Sequence, residues 1–168
     1  QHYLSYSGKK AKNHMLSQMQ KFSDKQDFEK ANEVKKRIFS LDLLQQEQSI
    51  NSNLTSVDFF SCIFKHGRTG ACILTVRDGK IRGTKTYYFK EDHQSEIDQL
   101  LHGLIFSYYQ NHFTLPEKIV LTFKSNDLDL LYEAMQIKFN QSVPILTRAP
   151  VGAKQLSKLA ILNAGQII

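Results

Sequence analysis

Tryptophan is absent from these 168 residues, proline occurs three times, and cysteine occurs twice, at Cys62 and Cys72. The two cysteines have no C-x-x-C spacing, and two thiolates cannot build a zinc site without histidines at suitable positions. His66 is the only histidine near them, so buried free thiols in a reduced, cytoplasmic setting are the expectation. No apolar run approaches the roughly 20 residues that a bilayer span requires. The amino-terminal QHYLSYSGKK has no apolar signal core, so no membrane role is expected. The first residue is not methionine, and the chain is expected to be a piece of a longer protein. No G-x-x-x-x-G-K or G-x-G-x-x-G phosphate loop occurs, which removes the common nucleotide-binding signatures.

What is present is ordinary for a globular chain: 41% hydrophobic and 23% charged residues. The length suffices for one good core plus a small appendage. A net charge of +6 favours a polyanionic partner without proving one.

Two helical patterns open the chain. Over Lys9–Phe22, Ala11, Met15, Met19 and Phe22 recur at spacings of four, four and three. After a Ser23–Gln26 turn, Phe28, Ala31, Val34, Ile38 and Leu41 form a second stripe. Asp24 can cap that second helix, or Asp27 can lie in its first turn, where a carboxylate suits the positive end of the helix dipole. Glu29 and Glu33 lie off the stripe, and Lys30, Lys35, Lys36 and Arg37 surround it. Tyr3, Leu4 and Tyr6 can dock on the hairpin, with Gly8 as a flexible joint before it. Two helices alone are marginal in water, so this hairpin either packs on the rest of the chain or is completed by a partner. The polar segment QQEQSINSNLTS then reads as the end of the second helix and a linker, giving a hairpin over residues 1–48, a linker over 49–56 and a second domain over 57–168.

From Val57 the period changes, and short runs rich in β-branched, aromatic and other apolar residues replace the helical stripes. VDFFSCIF, GACILTV and IRGTKTYYF are three strand-like segments separated by HGRTG and RDGK, and Asp78-Gly79 is a strong hairpin-turn signal. A long helix comes next, over Gln94–Asn111, with Ile97, Leu100, Leu101, Leu104, Ile105 and Tyr108 on one face. KIVLTF is a short strand, Asp127–Phe139 a helix opened by Asn126 or Asp127, Val143–Leu146 a strand, and Lys154–Asn163 a closing helix. The order βββαβαβα is that of an RNase H-like mixed sheet, and the whole chain is α+β.

Such a fold becomes a nuclease only with carboxylates clustered to hold Mg²⁺. The first strand offers only Asp58, at its start; KIVLTF offers none, and Asp127 and Asp129 are explained by the dipole of the helix they open. Cys62 and Cys72 lie in apolar strands, where burial makes a thiol inert. His102 and His112, ten residues apart on one helix, are about 80° off one another and have no paired acid at short range. No catalytic site and no cofactor are expected.

The residues also carry a resemblance. Phe28-Glu29-x-Ala31 with Lys35 and Ile38 resembles the UVR motif shared by the B and C subunits of the bacterial UvrABC excinuclease. Asn32, Lys35 and Lys36 stand where that motif usually has Ala, Arg and Asp. Val57-Asp58, Ala71-Cys72, Val76-Arg77-x-Gly79-Lys80, Tyr87-Tyr88-Phe89, Phe106, Tyr109, Leu115-Pro116-x-Lys118-Ile119 and Pro150-x-Gly152 with Leu159-Ala160 and Asn163-Ala164 resemble the central region of the C-subunit family. Val151 stands where the family commonly has Arg.

The resemblance implies a degenerate RNase H-like unit between two nuclease domains, with Mg²⁺ needed by those flanking domains, and with the position of a first catalytic Asp falling near Phe60. It implies a role in nucleotide excision repair. The C-terminal UVR hairpin of UvrB would be a partner through Phe28, Glu29, Ala31, Val34, Lys35 and Ile38, and self-association could use the same hairpin. A stand-alone RNase H-like metal-dependent nuclease and a UVR adaptor in a stress response are the alternatives.

Basic residues are the remaining signal. Seven fall between Lys65 and Lys90 against the single acid Asp78, and no acid follows Ala134. Lys65, Arg68, Arg77, Lys80, Arg82, Lys154 and Lys158 are candidates for weak, sequence-independent contact with damaged DNA. A solvated sheet face with lysines protecting an edge strand explains them as well.

Overall fold

The computed structural model describes residues 2–47, 55–90, 97–112 and 114–168. The chain divides into two compact units, Gln1–Ile50 and Asn51–Ile168.

The first unit is a pair of helices, α1 (His2–Asp24) and α2 (Phe28–Glu47). The first helix starts seven residues before the expected Lys9 and runs through Gly8 without a break, so Gly8 is no joint. It ends in a Schellman turn. Gln26 adopts φ 58°, its N–H donates to Ser23 O at 2.9 Å, and Asp27 N–H donates to Phe22 O at 2.9 Å. Asp24 does not cap α2; Asp27, expected in the first turn, stands one residue before it and is the cap. Its carboxylate accepts the Lys30 backbone N–H at 3.3 Å and the Lys30 ammonium at 2.8 Å, which lowers its pKa and raises that of Lys30. Asp24 instead accepts from Gln20 Nε2 at the end of α1.

Val34 and Ile38 are buried between the helices, and Met15, Met19, Phe22, Ala31 and Leu41 are half-buried. Two members of the expected stripes fall outside the seam: Ala11 is exposed, and Phe28 is 67% exposed.

The second unit begins with β1 (Ser56–Lys65), β2 (Arg68–Arg77) and β3 (Lys80–Phe89), followed by α3 (Ile97–Gln110) and β4 (Lys118–Leu121). It ends with α4 (Leu128–Phe139), β5 (Ile145–Leu146) and α5 (Lys154–Gln166). The sheet order is β3-β2-β1-β4-β5. β1–β2 and β2–β3 are antiparallel, and β1–β4 and β4–β5 are parallel. This is the expected βββαβαβα arrangement. Both hairpins close with two-residue turns whose central residues have positive φ, His66-Gly67 and Asp78-Gly79, the twist that suits antiparallel strands. β5 is shorter than expected, because Val143 packs into the core instead of joining the ladder. The expected start of the long helix at Gln94 and residues 49–54 of the expected linker lie outside the described residues.

Alternation along the central strands sends side chains to two layers. Phe60, Ile73, Ile119 and Leu121 meet Ile105, Tyr108 and Tyr109 of α3, Leu131 and Met135 of α4, and Val143. Phe60 lies edge-on to Tyr108 at 5.8 Å between ring centroids. α5 packs on β1 and β2 through Leu156, Leu159, Ala160 and Ala164. Gly70 makes that approach possible, since a Cβ there would stand 2.0 Å from Ala164 O. Gly103, in α3, has open space around it.

Gly70→Ala is therefore expected to lose stability by about 1–3 kcal/mol or more through overpacking. Gly103→Ala should gain up to about 1 kcal/mol from helix propensity. Urea denaturation of both variants checks the pair, and equal midpoints would contradict this placement of α5.

Candidate functional site

Asp58 is the one acid inside the apolar first strand, and it is fully buried. An isolated carboxylate in such a place would cost many kcal/mol. It is satisfied on both oxygens. Arg77 Nη1 donates to Oδ1 at 2.5 Å and Nη2 to Oδ2 at 3.2 Å, and the Tyr109 hydroxyl donates to Oδ2 at 2.8 Å. The hairpin register explains the pairing. With a two-residue turn at His66-Gly67, Asp58 faces Thr75 and Ser56 faces Arg77, so Arg77 reaches Asp58 on the diagonal of the same face. Tyr109 comes down from α3. The carboxylate holds the Arg77 pKa up, and burial with the neighbouring Asp58 charge holds the Tyr109 pKa well above its usual value.

A metal site would need this carboxylate free and others beside it. At the end of β4, where a second acid would be wanted, Thr122 donates to Ser61 Oγ at 2.7 Å. Among the described residues no three His, Cys, Asp or Glu side chains come close enough to share a metal ion. The residues present do not fit a magnesium pair. Burial pushes the Cys62 and Cys72 thiols up to about 11, which leaves almost no thiolate near neutral pH. His102 bonds to Ser125 Oγ at 2.8 Å. His112 stacks on Tyr108 at 4.0 Å between centroids.

The basic candidates do not form one patch. Lys65 and Arg68 flank the β1–β2 turn, whereas Arg77 and Lys80 flank the β2–β3 turn, about 30 Å away by strand rise. Arg82 lies within 3.7 Å of Asp78 in an exposed pair, which contributes little. Lys154 and Lys158 are exposed on α5. Arg77 stands apart from all of these because its guanidinium is spent largely on Asp58. A buried acid in V-D-F-F was the available signal for this pair, because such a group requires a cation across the hairpin.

The hairpin candidates divide in two. Phe28, Glu29 and Lys35 are exposed, and Ala31 is half-buried. Val34 and Ile38 are taken up by the seam with α1, at 6% and 8% exposure. Phe28 is the first residue of α2, so its ring projects beside the capped end of the helix.

An RNase H-like sheet with its one internal carboxylate sealed, carried with a UVR-type hairpin, is the class of protein these features define. The family model of the UvrC Ribonuclease H-like domain matches residues 56–168, and that of the UvrB/uvrC motif matches residues 9–44. The chain belongs to the UvrC ribonuclease H-like family. It is 25% identical over 153 residues to "UvrABC system protein C" of Shewanella putrefaciens, covering 89% of this chain and 25% of that protein. The relative of the same name in Shewanella oneidensis is 24% identical over 165 residues, covering 96% and 27%. That of Pectobacterium atrosepticum is 26% identical over 165 residues, with the same coverages of 96% and 27%. The chain thus spans about a quarter of the length of these relatives. Among the described residues no helix is long and apolar enough to cross a membrane.

Arg77→Leu, which strands Asp58, is expected to destabilise the fold by about 3–5 kcal/mol. Asp58→Asn should cost less, and the double variant should cost less than the sum of the two, because the pair acts as a unit. Chemical denaturation of the three variants measures the coupling, and strict additivity would contradict the arrangement.

Proposed function

We propose that this chain is the hairpin and central portion of an excinuclease C subunit in nucleotide excision repair. The hairpin docks onto the C-terminal UVR hairpin of UvrB. The central unit spaces the flanking nuclease domains and does not itself cut DNA or hold a metal ion. Exposed Phe28 carries the recruitment half of this reading. A large aromatic ring at 67% exposure, at the capped end of a helix whose Val34 and Ile38 are already buried, is the kind of anchor that dominates interfaces. Glu29 and Lys35 flank it as polar rim. The match over residues 9–44 to the UvrB/uvrC motif supports the choice of partner. The match over residues 56–168 supports the C-subunit assignment over a stress-response adaptor.

The sealing of Asp58 by Arg77 and Tyr109 supports a spacer over a stand-alone nuclease. Contact with damaged DNA through the basic residues of the central unit would be weak and independent of sequence, since phosphate contacts position a protein without reading bases.

Calorimetry of the chain against the UvrB C-terminal hairpin tests the docking. Phe28→Ala should weaken binding by about 30-fold or more, the loss expected for a hot-spot aromatic, while the helical circular dichroism stays unchanged. Equal binding by the variant, or no binding by the folded wild-type chain, would refute this role for the hairpin.

A further inference from the structure

We propose that the cleft between the β2–β3 edge and the carboxyl end of α3 is a binding site for a phosphate group. The cleft is about 290 Å³ and is lined by Thr75, Arg77, Lys85, Tyr108, His112 and Thr114, together with Ile73 and Gly83. None of these residues is acidic. Asp58, the acid bonded to Arg77 behind the cleft, is fully buried and has both carboxylate oxygens engaged by Arg77 and Tyr109. What faces the opening is therefore dominated by donors.

Arg77 commits Nη1 to Asp58 and to Val76 O, and one Nη2 bond to Asp58. A guanidinium has five N–H groups, so Nε–H and the second Nη2 hydrogen are left. Lys85 Nζ stands 5.4 Å from the centroid of the Tyr108 ring, which holds the ammonium at the cleft by a cation–π contact. His112 Nδ1 lies 2.5 Å from Tyr108 O. A carbonyl only accepts, so Nδ1 carries the proton and Nε2 is left for a ligand. Thr114 adds a hydroxyl at one wall, and the Thr75 hydroxyl at the other is donated to Gly83 O at 3.3 Å.

The backbone is shaped for the same purpose. Arg82 is the extra residue of a bulge opposite Thr75 and Val76, and bulges re-aim edge side chains. At Gly83 a Cβ would come within 3.1 Å of Thr75 Oγ1, so any larger residue would crowd the wall. The carboxyl end of α3 disfavours an anion, and bonds to its carbonyls soften that: Ser107 O accepts Asn111 Nδ2 at 3.0 Å, Tyr108 O accepts Asn111 N–H at 3.3 Å, and Tyr109 O accepts His112 N–H at 3.2 Å. Arg77 and Lys85 supply the positive charge that opposes the remainder.

The site stands on this geometry. Only the source of the phosphate, a nucleic-acid backbone, rests on the proposed DNA contact of the central unit. Titration of the ¹⁵N-labelled chain with inorganic phosphate, followed by amide shifts, tests the site. Thr75, Gly83 and Thr114 should move together and saturate, and Lys85→Gln and His112→Gln should each weaken binding by about tenfold, as loss of a charge-assisted bond does. Lys124→Gln, outside the cleft, should change nothing. Shifts scattered over the surface lysines, or unaltered binding by both cleft variants, would overturn the site. A single-stranded oligonucleotide that moves the same amides and competes with phosphate identifies the backbone as the source. Phosphate binding without oligonucleotide binding keeps the site and overturns the DNA contact.

Discussion

The buried pair of Asp58 and Arg77 is the constraint on which the central unit depends. A carboxylate in the middle of an apolar strand can be kept only if its charge is met and both oxygens are bonded. Meeting it fixes the register of the β1–β2 hairpin, because a slip by one residue would turn Arg77 to the other face. It also fixes α3, whose Tyr109 closes the second oxygen. The same bonds occupy the one buried carboxylate found among the described residues. One interaction thus links the order of the fold to the proposal that this unit positions other domains without cutting.

Much of this was legible in the residues. Asp78-Gly79 and the apolar, β-branched and aromatic runs VDFFSCIF and GACILTV gave the meander, and Ile97 to Tyr108 gave the long helix. The periodicity could not say which buried aromatic would carry a polar duty. Tyr109 entered only through the family resemblance, and Arg77 through that resemblance and as one of the basic candidates. Arg77 meets Asp58 by a diagonal contact across a hairpin and Tyr109 meets it from α3, and a linear reading displays neither. The cleft was missed for a related reason. Lys85 and His112 are 27 positions apart in the chain, and only the packing of α3 beside the β2–β3 hairpin brings them to one cleft.

The hairpin gives the opposite lesson. Phe28 falls in phase with Ala31, Val34 and Ile38, so the spacing alone assigns it to the buried stripe. The Schellman turn and the Asp27 cap start α2 at Phe28 itself, and at that first position the ring is not covered by α1. The family motif includes this residue, and its exposure gives that membership a physical meaning. The ring costs hydrophobic exposure in the free chain, which is what the proposed docking onto UvrB would recover. Val34 and Ile38, named by the same motif, serve the hairpin's own seam.

The central claim is that the carboxylate of Asp58 is sealed and holds no cation. Titrating the ¹⁵N-labelled chain with Mn²⁺ tests it most directly, because a bound paramagnetic ion broadens nearby amides. The expected result is that the amides of Asp58, Phe59 and Phe60 and of Thr122 stay sharp while exposed acids such as Asp129 broaden weakly. Selective, saturable broadening at Asp58 would show an open metal site in the sheet and would contradict the account.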